Sequence, residues 1–120
     1  MWLDSESSKL PSSLIERFKR ESKVLSVVVP WEIRIKASLG KLALRDDLEK
    51  IVEEQVHRNR FSVLEVRLEH VYELDELPLH HRDPFDRLLI AQARVEGYTL
   101  ATNDAKVRAY DVPTVWDELL

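Results

Sequence analysis

Hydrophobic residues alternate along the chain between short continuous runs and longer segments in which they recur every three or four positions. The short runs predict buried strands at 24–29, 61–66 and 98–102. Helical spacing predicts helices at 11–21, 30–39, 46–59, 68–77 and 83–96, and a short one at 104–110. A last strand at 112–116 is expected at an edge, because Pro113 has no N–H for a ladder. Strands alternating with helices predict an α/β fold with a mainly parallel sheet covered on both faces.

Aspartate, proline and glycine mark the ends of two of these helices. Asp83 can cap the clearest helix, Pro84 suits its first turn, and Gly97 can end it. Pro30 is expected to open the second helix, and Gly40 to close it in a left-handed conformation. The helix that begins after Asp83 is therefore the best delimited in the sequence.

Length and composition indicate a single domain, 1–120. A chain of 120 residues suits one domain, and a hydrophobic fraction of 44% is enough for a core. There is no cysteine, which excludes a disulfide scaffold, a thiolate zinc site and a cysteine nucleophile. The first ten residues show no signal peptide, and no apolar run is long enough to cross a bilayer. We therefore expect a soluble, cytoplasmic protein without a membrane partner.

The charge balance bears on the partners of the chain. The formal net charge is −4, from 18 Lys+Arg and 22 Asp+Glu. An acidic balance argues against broad, non-specific binding to nucleic acid, which depends on neutralising phosphates. Trp2, Trp31 and Trp116 are interpreted as core or interface residues rather than as platforms for base stacking. An acidic, metal-filled site flanked by a few basic residues remains compatible with this composition.

Three acidic residues lie where an open parallel sheet binds ligands, beyond the carboxyl ends of its strands. Glu32 comes three residues after the run at 24–29, in the first turn of the helix expected there. Asp104 is the second residue after the strand at 98–102. Asp86 lies in the first turn of the helix predicted at 83–96. Mg²⁺ and Mn²⁺ prefer carboxylate oxygens, and such an ion could activate water and offset charge on a phosphodiester. These three carboxylates are therefore candidate ligands of one metal ion.

Simpler roles are open for the same residues. Acids in the first turn of a helix complement its dipole. Glu32 could pair with Lys36 at i,i+4, and Asp104 could cap the short helix after it. A metal site at His80 and His81 is disfavoured, because adjacent histidines point in different directions. Spacing alone does not decide between these structural roles and a shared metal site.

Two blocks of the sequence resemble the signature of bacterial PIN-domain proteins, especially VapC-type toxins. The longer block is ELPLHHRDPFDRLLIAQARVEGYTLATND at 76–104. The second is VVVPWEIRIKASLGKLAL at 27–44, in which WEI carries an acid. The order and separation of the blocks match, and the resemblance covers essentially the whole chain. It implies a three-layer α/β/α sandwich with a mostly parallel sheet, and cleavage of RNA that depends on Mg²⁺ or Mn²⁺.

The resemblance also implies roles for individual residues and partners. The implied catalytic and metal-binding residues are Glu32, Asp86 and Asp104. The implied substrate-binding residues are Thr102, Arg87 and Arg82, the two arginines as phosphate contacts. Asp83 is left as the helix cap that supports Asp86. Toxins of this kind are typically encoded with an antitoxin that blocks the site, and they commonly form homodimers, so both partners are expected.

The N-terminal end of the chain departs from the pattern of the family. Family members usually begin with a strand that ends in Asp and then a helix, whereas residues 1–14 resemble the segment located after that helix. Asp4 is a poor substitute, because its separation from Glu32 is shorter than usual by most of a helix. We therefore expect that the first strand and its Asp are missing, through truncation, a mis-assigned start or fragmentation. Losing one carboxylate should weaken metal binding and impair catalysis, so that the chain as written could be inactive.

Two other functions compete with that of a metal-dependent endoribonuclease of the toxin–antitoxin type. One is a non-catalytic module that keeps the fold and binds an antitoxin or another protein. The other is a hydrolase that uses the same acids on DNA, or in the manner of a phosphatase. RNA cleavage is the leading prediction, because the long block is more specific than any isolated pair of acids.

Overall fold

A computed structural model describes residues 23–44, 46–79, 83–102 and 104–116. The elements in these ranges are, in order, β1 (Lys23–Ser26), α1 (Val28–Ser38), α2 (Leu48–Arg58), β2 (Phe61–Leu64), α3 (Leu68–Glu73), a 3-10 turn (Leu74–Glu76), α4 (Pro84–Glu96), β3 (Leu100–Ala101), α5 (Ala105–Arg108) and β4 (Thr114–Val115). The predicted helix at 11–21 and Asp4 lie outside the described residues. No helix within these ranges is both long and apolar enough to cross a membrane.

The described strands all pair in parallel, as predicted for an α/β fold. Strand β1 runs beside β2, with Lys23 opposite Phe61 at one end of the ladder. Strand β3 runs beside β4, with Leu100 opposite Thr114. In the described part of the chain these are two separate two-stranded sheets, whereas the sequence predicted one mainly parallel sheet. Parallel partners are joined through helices, α1 and α2 in the first pair and α5 in the second.

Helix α4 lies at the centre of the hydrophobic core. Every residue from Leu88 to Ala93 is buried, so this helix meets neighbours on all sides. Leu89 and Ile90 are fully buried and share one cluster with apolar residues of the strands and of other helices. These cluster members include Leu25, Val28, Leu64, Leu100 and Val107. Full burial of a leucine or isoleucine side chain stabilises a fold by about 1.5–3 kcal/mol, so α4 holds the other elements together.

The first predicted strand is wrong over its last three residues, because helix α1 begins earlier than expected. The N–H of Val27 donates to the carbonyl oxygen of Leu64 at 3.0 Å and closes the ladder. The N–H of Val28 donates to the Ser26 hydroxyl at 3.1 Å, which satisfies one donor at the start of the helix. Tertiary contacts of this kind override the weak strand preference of a valine run. Pro30 lies in the first turn, where its missing N–H costs no hydrogen bond.

Both glycines end helices, as predicted. Gly40 has a φ of 72°, and its N–H donates to the carbonyl oxygen of Ala37 at the end of α1. Gly97 has a φ of 74° and lies directly after α4. Residues with a Cβ are strained in this region, so glycine suits both positions. The remaining predicted elements within the described residues are present with shorter bounds, and the helix at 68–77 is divided into α3 and the 3-10 turn.

Buried polar groups connect the start of α1 to α4. The Ser26 hydroxyl donates to Oε1 of Gln92, whose side chain is fully buried. The Nε2 group of Gln92 donates to the carbonyl oxygen of Glu65 at 3.2 Å and lies 3.3 Å from Nδ1 of His70. A buried polar group that loses its partner costs about 1–3 kcal/mol, so each of these bonds restricts where α4 can lie. Gln92 thereby fixes β1, the segment after β2 and α4 relative to one another.

His70 and Glu96 extend this network to α3. His70 is fully buried, and its Nδ1 accepts the N–H of Arg67 at 2.9 Å, which places the ring proton on Nε2. Nε2 lies 2.8 Å from Oε2 of Glu96, and the Arg67 guanidinium donates to the same oxygen at 2.6 Å. The hydrogen bond from His70, aided by the charge of Arg67 and opposed by burial, lowers the pKa of Glu96. Glu96 therefore joins α4 to α3 in its ionised form.

We expect Gln92→Leu to reduce the free energy of unfolding by about 1–3 kcal/mol, because the Ser26 hydroxyl and the Glu65 carbonyl lose their amide partner. Urea unfolding followed by circular dichroism measures the change. Gln55→Leu is the matched control, since the Gln55 amide bonds the exposed side chain of Asn59. The control should shift stability by less than about 0.5 kcal/mol, and equal losses in the two variants would contradict the role given to Gln92.

The lowered pKa of Glu96 predicts that stability depends on pH. Its carboxylate is held ionised more strongly in the folded chain, so its contribution is full above the ordinary pKa of 4.5 and is lost as pH falls through the lowered value. The free energy of unfolding should therefore drop in acid by less in Glu96→Gln than in the wild type. Urea unfolding across this pH range tests the difference, with Glu53→Gln on exposed α2 correcting for the lost charge. Parallel curves for wild type and Glu96→Gln would refute it.

Candidate active site

Glu32 lies on α1 and is only 7% exposed. Its Oε2 is 2.8 Å from Nζ of Lys36, so the predicted i,i+4 pair is confirmed. The prediction that Glu32 lies in the first turn is wrong: α1 begins at Val28, and Glu32 falls in the second turn. The helix dipole acts mainly on the first turn, so it stabilises the negative charge of Glu32 less than the sequence suggested.

Asp83 and Asp86 lie at the N-terminus of α4. One oxygen of the Asp83 carboxylate accepts the N–H of Phe85 at 2.9 Å and the N–H of Asp86 at 3.4 Å. The predicted cap is therefore confirmed, and so is the place of Asp86 in the first turn. Because Asp83 bonds the backbone of Asp86, it fixes where the second carboxylate leaves the helix.

The charge of Lys36 is affected by carboxylates of both α1 and α4. Its hydrogen bond with Glu32 raises the pKa of Lys36, burial opposes this effect, and the charges of Glu32, Asp83 and Asp86 add to it. The i,i+4 spacing of Glu32 and Lys36 was visible in the sequence. The effect of the α4 acids on Lys36 depends on packing between helices, and no local signal indicated it. A common site for Glu32 and Asp86 stays a prediction.

An aromatic contact lies beside these charges. The rings of Trp31 and Phe85 meet edge to face, with centroids 4.7 Å apart and planes at 83°. Trp31 directly precedes Glu32, and Phe85 directly precedes Asp86. Trp31 is 52% exposed, so it is a surface residue rather than part of the core. Edge-to-face packing is a favoured aromatic geometry, and it connects α1 to α4 at the level of the two acids.

Asp104 caps α5, as the structural alternative proposed. Its Oδ1 accepts the N–H of Lys106 at 2.9 Å. The hydroxyl of buried Thr102 accepts the N–H of Asp104 at 3.1 Å, so Thr102 orients the backbone of the acid. Asp104 lies just beyond the end of β3, where the sequence placed it. A substrate-binding role for Thr102 stays a prediction.

The guanidinium of Arg87 bonds the protein itself. Its Nη1 donates to the Pro78 carbonyl at 3.0 Å and to the Tyr110 hydroxyl at 3.1 Å. Its Nη2 lies 3.3 Å and 3.4 Å from the carbonyl oxygens of Leu74 and Leu77. These contacts tie α4 to the 3-10 turn and the loop after it, which is a structural role for the side chain. A phosphate contact from Arg87 stays a prediction, and Arg82 lies outside the described residues together with His80 and His81.

The described side chains offer oxygen donors and negative charge to a cation. Carboxylates such as Glu32 and Asp86 are ligands that hard divalent ions prefer, and the Glu32 carboxylate already binds a cation, the ammonium of Lys36. Over residues 23–44, 46–79, 83–102 and 104–116, no three His, Cys, Asp or Glu side chains are grouped so that they could hold a metal ion. The assignment of Glu32, Asp86 and Asp104 as ligands of one ion stays a prediction.

Comparison with known proteins finds a similarity that spans almost the whole chain. Residues 2–113 match the model of the family described as PIN domain. No curated protein matches the sequence. A match of this length includes the segments that carry Glu32, Asp86 and Asp104.

Asp83→Ala should reduce the free energy of unfolding by about 1 kcal/mol, because α4 loses the side chain that caps it. Asp47→Ala is a matched control, since Asp47 occupies the same position before α2 but makes no capping hydrogen bond through its side chain. Chemical unfolding of both variants beside the wild type measures the two losses. The cap would be unimportant if the two substitutions cost the same.

Proposed function

This chain belongs to the PIN domain family, and on that basis we propose that it is a metal-dependent endoribonuclease that hydrolyses RNA phosphodiester bonds. PIN domains are generally nucleases and typically use divalent metal ions. The observation that carries the proposal is the family match over residues 2–113, which includes the segments of Glu32, Asp86 and Asp104. The buried carboxylate of Glu32, 2.8 Å from Nζ of Lys36, supports it as a binding site for positive charge.

In this proposal Glu32, Asp86 and Asp104 would hold Mg²⁺ or Mn²⁺. The ion would supply activation of water and neutralisation of charge on the phosphate. The protein would hold the carboxylates in position and control their exposure to water. Burial of Glu32 removes water from its carboxylate, which strengthens its attraction for a cation. Asp83 and Thr102 bond the backbones of Asp86 and Asp104 and so limit their movement.

The biological setting belongs to the same proposal. PIN domains often occur in toxin–antitoxin pairs, so we place this chain in the cytoplasm as a toxin of the VapC type. Its expected partners are the RNA substrate, a cognate antitoxin and a second copy of the chain. Occupation of the acidic site by the antitoxin would keep the nuclease inactive.

A second candidate function is a non-catalytic module that binds a protein partner such as an antitoxin. The observation that favours it is the exposed apolar face of α3, formed by Leu68, Val71 and Tyr72. Spacings of three and four residues put these side chains on one side of the helix. Apolar surface of this kind on a folded chain is typical of contacts between proteins.

The nuclease proposal predicts RNA cleavage that requires Mn²⁺ or Mg²⁺ and stops when EDTA is added. Asp86→Asn and Glu32→Gln should each lower the rate more than about a hundredfold, since substitution of groups that merely support metal ligands already costs tenfold to a hundredfold. Asp75→Asn, at an exposed position of the 3-10 turn, should keep the wild-type rate. Gel analysis of labelled RNA measures all four proteins.

Two results would separate the candidates. Cleavage that survives EDTA or both substitutions would contradict the proposed site. Absence of cleavage with either metal, together with binding of a partner protein that is lost in Tyr72→Ala, would favour the non-catalytic module.

A further inference from the structure

The guanidinium of Arg87 gives its terminal N–H groups to acceptors within the protein. An arginine carries two N–H groups on each Nη and one on Nε. Nη1 donates to the Pro78 carbonyl at 3.0 Å and to the Tyr110 hydroxyl at 3.1 Å. Nη2 donates to the carbonyl oxygens of Leu74 at 3.3 Å and Leu77 at 3.4 Å. The forked edge that arginine usually presents to a phosphate is therefore occupied by the protein.

The bond to Tyr110 joins the first turn of α4 to the segment after α5. The N–H of Arg87 donates to the Asp83 carbonyl at 3.1 Å, so its backbone closes the first turn, which also contains Asp86. Tyr110 is buried and lies two residues after the end of α5, the four-residue helix that Asp104 caps. The side chain of Arg87 thus connects the two segments that carry these acids.

We infer that Arg87 is a positioning residue, which holds the first turn of α4 and the segment after α5 in one arrangement. Through these segments it acts on Asp86 and Asp104. The inference rests on the proposed function, because it concerns two acids of that proposal. It requires no contact between Arg87 and RNA.

Binding of a phosphate by the same side chain would disrupt this arrangement. A phosphate takes two parallel N–H groups from arginine, and here both groups on each Nη already have acceptors. Leu77 is buried and Arg87 is half-buried, so a carbonyl oxygen that lost its donor would find water less readily than on an open surface. The contacts therefore favour a positioning role for Arg87 over direct contact with substrate.

The first test is a double-mutant cycle on stability, which needs neither RNA nor metal. Arg87→Gln removes the fork, and Tyr110→Phe removes only the hydroxyl. Urea unfolding of the wild type, both variants and the double variant measures the shifts in midpoint. We expect the double variant to lose less than the sum of the two single losses, because either substitution alone already breaks the bond.

Arg108→Gln is the matched control for the loss of an arginine, since Arg108 is exposed on α5. Its midpoint should stay close to that of the wild type. Additive shifts for Arg87→Gln and Tyr110→Phe would show that the two side chains act independently, and would overturn the inference alone.

The second test compares cleavage of RNA with binding of RNA. Tyr110→Phe changes no charge, so we expect KM for RNA to stay at the wild-type value while kcat falls about tenfold, as is typical when a group that supports functional side chains is removed. Arg87→Gln should show the same separation of kcat from KM. Fluorescence anisotropy of labelled RNA over a range of KCl concentrations should give the same affinity and salt dependence for both variants and the wild type.

A phosphate contact predicts a different result. Arg87→Gln would then weaken RNA binding and reduce the slope of log affinity against log salt by about one, while Tyr110→Phe would match the wild type. That outcome would overturn the inference and leave the nuclease in place. A wild type that neither binds nor cleaves RNA would overturn the proposed function together with this consequence of it.

Circular dichroism checks that each variant folds, so that kcat is compared between folded proteins. If Arg87→Gln does not fold, Arg87→Lys replaces it in the cycle, because a lysine keeps the charge without the fork. Wild-type kcat in folded Tyr110→Phe would also overturn the inference.

Discussion

The hydrogen bond between the Ser26 hydroxyl and the Gln92 amide is the contact on which the arrangement of the acidic site depends. Ser26 ends β1 and also accepts the N–H of Val28, so its position sets where α1 begins. Gln92 lies on α4, the helix that carries Asp86. Both side chains are fully buried, so loss of this bond would leave polar groups without partners in the interior, and the bond favours one position of α1 relative to α4. That position sets the distance between the acids of α1 and α4.

Features that act within a few residues could be predicted from the sequence, and features that depend on packing could not. Asp83 caps the start of α4, and Gly97 and Gly40 end helices, each through contacts with its own neighbours; all three predictions are confirmed. The valine run after Ser26 was assigned to a strand, because its side chains suit one. Its backbone turns into α1 where the ladder with β2 ends at Leu64, a contact with a distant part of the chain.

The same division applies to the candidate site. The pairing of Glu32 with Lys36 is a consequence of helical spacing, but the effect of the α4 carboxylates on Lys36 depends on how the two helices pack. The family resemblance suggested Arg87 as a phosphate contact, whereas its guanidinium bonds carbonyl oxygens around the 3-10 turn. Those carbonyl oxygens lie more than eight residues before Arg87. No short-range sequence pattern indicates that they accept hydrogen bonds from a side chain. A phosphate contact from Arg87 stays a prediction beside this structural role.

The edge-to-face contact of Trp31 and Phe85 gives the site a mechanical property. Each ring is the chain neighbour of an acid, so the interlocking of the two rings sets the register of one helix against the other. Sliding α1 along α4 would have to separate the rings before it could separate the charges. Two aromatic side chains that take no part in the chemistry of the acids thus help to set the position of α1 against α4. A change in the size of either ring would shift the helices and so change the electrostatic potential around Glu32 and Asp86.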